Sequence, residues 1–160
     1  MNLQRIENIL EKIKSATSVK DLAKDFLWSI AKELDASQGA FFIAKERENI
    51  HILQFIAGYA YHLPESEIIE FEFGEGLSGQ VAKENRLINI QTVPDGYITI
   101  LSGLGSASPT SMIIFPVRNN NQVVGVVELA SFKKFNDEDE QFIKDLSVKL
   151  EDALALQITN

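Results

Sequence analysis

The sequence predicts an α+β domain on a mainly antiparallel sheet, and three features of the 160-residue chain lead there. Strand-like runs come in pairs joined by short polar turns, as hairpins do. Helical periodicity is confined to the two ends and one short stretch between strands, so helices are segregated from strands and do not alternate with them. The segment EIIEFEF (67–73) places Ile69, Phe71 and Phe73 on one face and Glu70 and Glu72 on the other. That is the pattern of a half-exposed antiparallel strand, whereas a parallel strand reads as a continuous apolar run.

Each element follows from local chemistry. Leu3, Ile6, Leu10 and Ile13 recur at three and four residues and predict an opening helix with one apolar face. Residues 15–18 interrupt it, and a second helix carries Val19, Leu22, Phe26, Ile30 and Leu34 up to the turn signal at Gly39. AFFIAKE and IHILQFIAGYA form a hairpin across RENI, ended by His62-Leu63-Pro64. After the alternating strand come a short helix over 77–84 and a brief strand in RLINI. Residues 91–111, rich in Gly, Ser, Thr and Pro, read as a long loop with room for one helical turn, and long loops in compact domains tend to be functional. SMIIFPV and VVGVVELASF then pair across RNNNQ, whose asparagines tolerate positive φ.

The closing helix starts from Asn136 as N-cap, with Asp137, Glu138 and Asp139 in a first turn that favours negative charge. Phe142, Leu146, Leu150 and Leu154 form its stripe, widened by Ile143, Ala153, Leu156 and Ile158. One domain over 1–160 is expected, with N-terminal helices in 1–35, sheet, short helix and loop in 39–133, and the last helix in 136–158.

Composition narrows the chemistry. The chain has no cysteine, which excludes disulfides, thiol nucleophiles, thiol-ligated zinc and thiol-linked cofactors, and fits a reducing cytoplasm. His51 and His62 are the only histidines and lack metal-ligand spacing, so no metal is expected. A formal charge of −8 without a basic cluster speaks against nucleic acid as a partner. No apolar run approaches the roughly 20 residues of a membrane span.

Three stretches carry candidate sites. FEFGEGLSGQVAKEN (71–85) spells G-x-G-x-x-G with Gly74, Gly76 and Gly79, and Asp95 follows at 21 residues beyond Gly74. The alternating strand before it, the short helix after it and the acidic Glu75 all disagree with a dinucleotide fingerprint. The glycines then serve a turn and a close approach of helix to sheet. Glu128, by alternation, shares a face with Val124, Val126, Ala130 and Phe132. A carboxylate there is either a structural acceptor for the covering loop or a pocket floor that accepts from a ligand. In the loop, Tyr97, Thr99, Ser102, Ser106, Ser108, Thr110 and Ser111 offer hydroxyls, though turn chemistry alone produces the same composition.

The combination of G-x-G-L-x-G-x-V-A, the F-P-V strand, V-x-G-V-x-E-L and the F-x-D-E helix start resembles a GAF domain over about residues 40–157. The block SGLGSASPTSMIIFPV…GVVELASF is similar to GAF domains of bacterial hybrid sensor histidine kinases. The resemblance implies α/β/α (profilin-like) layers around a six-stranded antiparallel sheet, with terminal helices on one face and a ligand pocket on the other. It also implies a candidate ligand-binding set of Phe73, Leu77, Ser78, Tyr97, Thr110 and Glu128. Of the cyclic-nucleotide motif N-K-x(n)-F-x-D-E, Phe135, Asp137 and Glu138 match, Lys133 fits, and Ser131-Phe132 stands in place of the Asn. Methionine sulfoxide reduction and bilin attachment on this fold need cysteines, so a non-enzymatic chain without a cofactor is expected, any kinase activity lying in a domain outside it. The expected function is a cytoplasmic sensory module that takes a nucleotide-like or other small metabolite and dimerises through its terminal helices. The alternative is a ligand-free dimerisation or spacer element.

Overall fold

The computed structural model describes residues 2–61, 69–93, 100–102 and 105–158, with the backbone course alone for 100–102, 105–107 and 153–158. In chain order the elements are α1 (Asn2–Ile13), α2 (Val19–Glu33), β1 (Gln38–Arg47), β2 (Ile50–Tyr59), β3 (Glu70–Glu72) and α3 (Gly76–Glu84). Then follow β4 (Ile88–Ile90), β5 (Ile100–Ser102), β6 (Gly105–Ala107), β7 (Ser111–Asn119), β8 (Gln122–Ser131) and α4 (Asp137–Ile158). Six strands form one sheet in the order β3-β2-β1-β8-β7-β4, every neighbouring pair antiparallel. The α+β antiparallel expectation therefore holds.

Turn chemistry sets the hairpins. β1 and β2 join through Glu48 and Asn49 at φ of 53° and 67°, and β7 and β8 through Asn120 and Asn121 at 55° and 63°. Two successive positive φ values match the right-handed twist of the flanking strands. α2 begins at Ser18, whose side chain accepts from the Asp21 N–H at 3.0 Å. α4 begins with a reciprocal cap: Asn136 Oδ1 accepts from Asp139 N–H at 2.8 Å and Asp139 Oδ2 from Asn136 N–H at 3.0 Å.

The sheet separates two cores. On one face Phe41, Ile113, Phe115, Val127 and Leu129 pack beneath Ile6, Ile9 and Ile13 of α1, Phe26, Leu27 and Ile30 of α2, and Phe142, Ile143, Leu146 and Leu150 of α4. On the other, Ala40, Phe42, Leu53, Met112, Ile114, Val126 and Ala130 pack beneath Val81 and Ala82 of α3, with Ile69, Phe71, Phe73 and Leu77 at the margin. Each fully buried large side chain contributes about 1.5–3 kcal/mol, so three helices dominate the stability of one face and a single short helix closes the other.

Several sequence expectations shift. The buried stripe of α1 is Ile6-Ile9-Ile13, and Leu3 is half exposed. Val19 lies outside the buried face of α2, and the chain reverses at Asp35 (φ 57°), so Gly39 falls within β1. The 91–111 stretch carries a two-stranded ladder, β5 with β6, where a long loop with room for one helical turn was expected. On β8 the register slips between Val117 and Arg118 of its partner, leaving Val124 as an extra residue. A bulge of that kind inverts alternation, so Val124 joins the helix-side core while Val123 and Val126 stay with the other. Phe132 lies beyond the strand and is half exposed.

Candidate functional site

Glu128 occupies the middle of the face covered by α3. Its Cα neighbours are Ala40 on β1 and Ile114 on β7. One step along, Ala130 lies between Gln38 and Met112. Two polar side chains are thus set diagonally among alanines, and the alanines leave space above them. Gln38, Gly39, Ala40, Tyr61, Met112, Glu128 and Ala130 line a cavity of about 10 Å³, room for about one water molecule.

The α3 helix covers this floor because of the glycines before it. Gly74 (φ 93°) and Gly76 (φ 66°) make the turn out of β3. A Cβ on Gly79 would stand 2.5 Å from the Glu72 carbonyl oxygen and 3.2 Å from Gly74 N, so only glycine lets the helix lie this close to the strand. Gly74 N–H donates to Gly79 O at 2.6 Å and locks the turn. Glu75, the N-cap position, makes no cap with its side chain and accepts instead from Glu72 N–H at 3.0 Å. The G-x-G-x-x-G is a turn and a close-packing device, as its context predicted.

This placement brings Ser78, 2% exposed, onto the sheet. Its hydroxyl donates to Glu128 Oε1 at 2.5 Å, the length of a hydroxyl-to-carboxylate bond. Bonds to charged acceptors contribute about 1.5–3 kcal/mol, which adds to the burial of Val81 and Ala82 in holding the short helix on the sheet. Leu77 and Phe73 border the same core, and the Phe73 ring lies 5.4 Å from that of His51. Of the expected set, then, Ser78 and Glu128 touch, and Leu77 and Phe73 flank them. Thr110 has an exposed side chain and does not line the cavity; its N–H extends the β7–β8 ladder to Ser131 O at 2.8 Å. Tyr97 lies outside the described residues.

Sequence reasoning missed Gln38. It is 7% exposed, and its buried Oε1 has no hydrogen-bond partner. The signal was present in principle: with the register known, Gln38 is two residues along β1 from Ala40, which faces Glu128, and so lies on the same side.

The C-terminal end of α3 is anchored separately. Asn85 takes the left-handed conformation (φ 56°) and returns its N–H to Val81 O. Arg118 on β7 donates through Nε to Asn85 Oδ1 at 2.5 Å and through Nη2 to Asn85 O at 2.9 Å. Asn85 Nδ2 reaches Asn121 O at 3.2 Å, and Asn121 N–H donates to Glu151 Oε2 on α4 at 2.6 Å. A chain of hydrogen bonds thus runs from the pocket helix, around the β7–β8 turn, to the terminal helix.

Comparison with known proteins agrees with this architecture. The sequence profile described as GAF domain matches residues 16–155. Free methionine-R-sulfoxide reductase of Escherichia coli (strain K12) is 33% identical over 91 residues, a match spanning 54% of this chain and 52% of that enzyme. The GAF domain of Acinetobacter phosphoenolpyruvate-protein phosphotransferase superposes with a TM-score of 0.76 at 21% identity, covering 100% of this chain and 98% of that one. Free methionine-R-sulfoxide reductase from Neisseria meningitidis, in complex with its substrate, gives 0.72 at 16% identity over 98% and 91%.

These matches bear on two expectations. The expectation of a non-enzymatic chain is overturned, because a relative sharing a third of the matched residues is a reductase and its structural counterparts carry the same fold. The missing thiol bears on which group supplies electrons, and that alone does not take the fold out of the enzymes. The expected affinity to histidine-kinase GAF domains is not shown, since these relatives are a reductase and a phosphotransferase domain. Among the described residues, no helix is long and apolar enough to cross a membrane.

Proposed function

The chain belongs to the GAF domain family, and from that premise we propose that it binds a small polar molecule between α3 and the sheet and passes occupancy to its terminal helices. The observation that carries this reading is the Ser78–Glu128 bond, which makes the helix covering the pocket depend on a group at its floor. A cavity of about 10 Å³ admits nothing larger than water, so in this reading a ligand widens it by lifting α3 and replacing the Ser78 hydroxyl on Glu128. Lifting α3 strains its anchor at Asn85 and, through Asn121, the contact with Glu151 on α4. Occupancy then shifts the population of α4 packing by differential contact energy. The same terminal helices pair two chains in this reading: Leu3 and Val148 are 50% and 62% exposed and line one groove with Asn2, Ile6, Asp145 and Lys149.

A second reading is favoured by the reductase relative. The pocket takes free methionine sulfoxide, whose reduction to the thioether consumes two electrons and two protons and releases water. With no cysteine in the chain, a dithiol in solution has to supply the electrons.

One experiment addresses both. Native mass spectrometry of gently purified protein and thermal shift against nucleotides, amino acids and methionine sulfoxide test binding. Incubation with methionine sulfoxide and dithiothreitol, with methionine quantified, tests turnover. A retained or stabilising small molecule that Glu128→Ala abolishes supports the binding reading; an empty protein insensitive to the whole panel refutes it. Methionine formed above the protein-free rate supports the reductase reading, and the protein-free rate refutes it.

A further inference from the structure

We infer that the groove between the end of α1 and α2 is a docking surface for an acidic amphipathic helix of a partner protein, with Trp28 as its anchor. The surface lies on the helix layer and is independent of the pocket beneath α3. Lys12 of α1 and Lys24, Asp25, Trp28, Ser29 and Lys32 of α2 line a groove of about 320 Å³. Trp28 is the one tryptophan of the chain and is 39% exposed. Its ring is nonetheless fixed: Nε1–H donates to Gly58 O at 3.1 Å, and the Tyr59 ring meets it edge to face at 5.2 Å. An indole already held in place gives up little entropy on binding, and tryptophan is enriched among the residues that carry binding energy.

The charge around the ring defines the partner. Lys24 and Lys32 bring Nζ to 5.7 and 5.6 Å from the centre of the Trp28 ring, the range of a cation–π contact. Lys12, Lys24 and Lys32 are all exposed, and among the described residues none of them has a carboxylate within ion-pair distance. The nearby acids are engaged elsewhere: Glu33 with Arg5, Glu11 with Lys14 and Asp21 with Thr17. Three cations against Asp25 leave a positive patch on a chain of formal charge −8. Charges beyond about 8 Å are screened at physiological salt, so the patch acts locally. A polyanionic membrane or nucleic acid also meets the acidic surface around it, whereas a single acidic helix touches the patch alone. Lys24, Trp28 and Lys32 recur every four residues and form a row about 12 Å long on one face of α2. A partner helix with an apolar residue and an acid four positions to either side matches that row. A helix fits better than an extended strand, because the face of α2 offers no free backbone groups and a helix satisfies its own.

Trp28 is its own reporter, since no other tryptophan contributes to the emission. The probe is an alanine-based helical peptide in which a leucine has a glutamate four positions to either side, unlabelled for Trp28 emission and fluorescein-labelled for anisotropy. A control peptide carries glutamine for each glutamate, and phosphatidylserine vesicles stand for an anionic membrane. The acidic peptide should move Trp28 emission to shorter wavelength and bind at least tenfold more tightly than the glutamine form at low salt, the gap closing as salt is added. Lys24→Glu with Lys32→Glu should weaken it at least tenfold with little change in melting temperature, both side chains being exposed. Lys24→Gln with Lys32→Gln, which removes the charge without reversing it, should fall between. Equal binding of the two peptides, or binding unchanged in both lysine variants, overturns the inference. An emission shift with the vesicles alone assigns the patch to membranes and overturns it as well, as does no shift with any probe. None of these outcomes bears on the pocket beneath α3, which is tested by its own titrations.

Discussion

Arg118 holds Asn85 by two bonds, one to the side-chain oxygen at 2.5 Å and one to the main-chain carbonyl at 2.9 Å, and so pins the end of α3 to β7. Asn85 is itself in the left-handed region, φ 56°, which an Asn adopts at less cost than most residues. Arg118→Ala should destabilise the protein by about 1.5–3 kcal/mol, the range for bonds with a charged donor. Asn85→Ala should cost a similar amount, and Asn85→Gly less, because glycine restores the backbone freedom. Chemical denaturation gives the magnitudes, and hydrogen exchange should show the last turn of α3 opening first.

Gly79 and Gly76 separate two glycine roles in one motif. Gly79→Ala drives a Cβ to 2.5 Å from the Glu72 carbonyl, so α3 must move off β3, at a cost of about 2 kcal/mol or more. Gly76→Ala meets nothing within 4 Å and bears only its positive φ of 66°, about 1–2 kcal/mol. Thermal melts of the two variants should rank in that order, and only Gly79→Ala should weaken the Ser78–Glu128 contact, read by exchange at α3. Equal losses would contradict the close-approach account.

Leu3 and Val148 line one groove between α1 and α4. If two chains pair through these helices, Leu3→Glu with Val148→Glu should convert a dimer to a monomer in light scattering while leaving the melting temperature at low concentration unchanged. A wild-type monomer at high concentration would remove the pairing proposal.

Glu70 receives two 3.0 Å bonds from Arg47 and one of 3.1 Å from Gln54. The Arg47 hydrogen bonds, with its charge adding and desolvation opposing, hold the Glu70 carboxyl below the usual carboxylate range. A depressed folded pKa means that the unfolded chain binds more protons in the window between the two values. The pair's contribution is thus present above the unfolded pKa and disappears as pH falls through the folded one. Glu70→Gln should lower the melting temperature slightly at neutral pH and match wild type in acid, and added salt should narrow the neutral gap. A gap that widens in acid would reverse the assignment.

Most of the architecture was legible because local chemistry and global fold agree. EIIEFEF alternated, and Phe71 and Phe73 do pack with the α3-side core. Asn136 caps α4 as its position promised. Two features were hidden for a common reason: they depend on a partner strand. Val124 reads as a regular strand residue until the step from the Val117–Gly125 pair to the Arg118–Val123 pair reveals the bulge. Gln38 has no signal of its own in the sequence until its pairing with Ala130 puts it inside. The half-exposed Leu3 and Val19 show the same limit for helices, since periodicity names a face but not how far the neighbouring layer extends over it.

By itself, then, the sequence determined the order of elements, the hairpin turns at Glu48-Asn49 and Asn120-Asn121, the caps and the role of the glycines around Ser78, because each depends on residues within a few positions of one another. Only the tertiary structure decided that Ser78 meets Glu128 across 50 residues, that Gln38 joins them, and that Asn85, Arg118, Asn121 and Glu151 connect the pocket helix to α4. Those contacts depend on strand register and on how closely α3 approaches the sheet, and neither is encoded in any one segment.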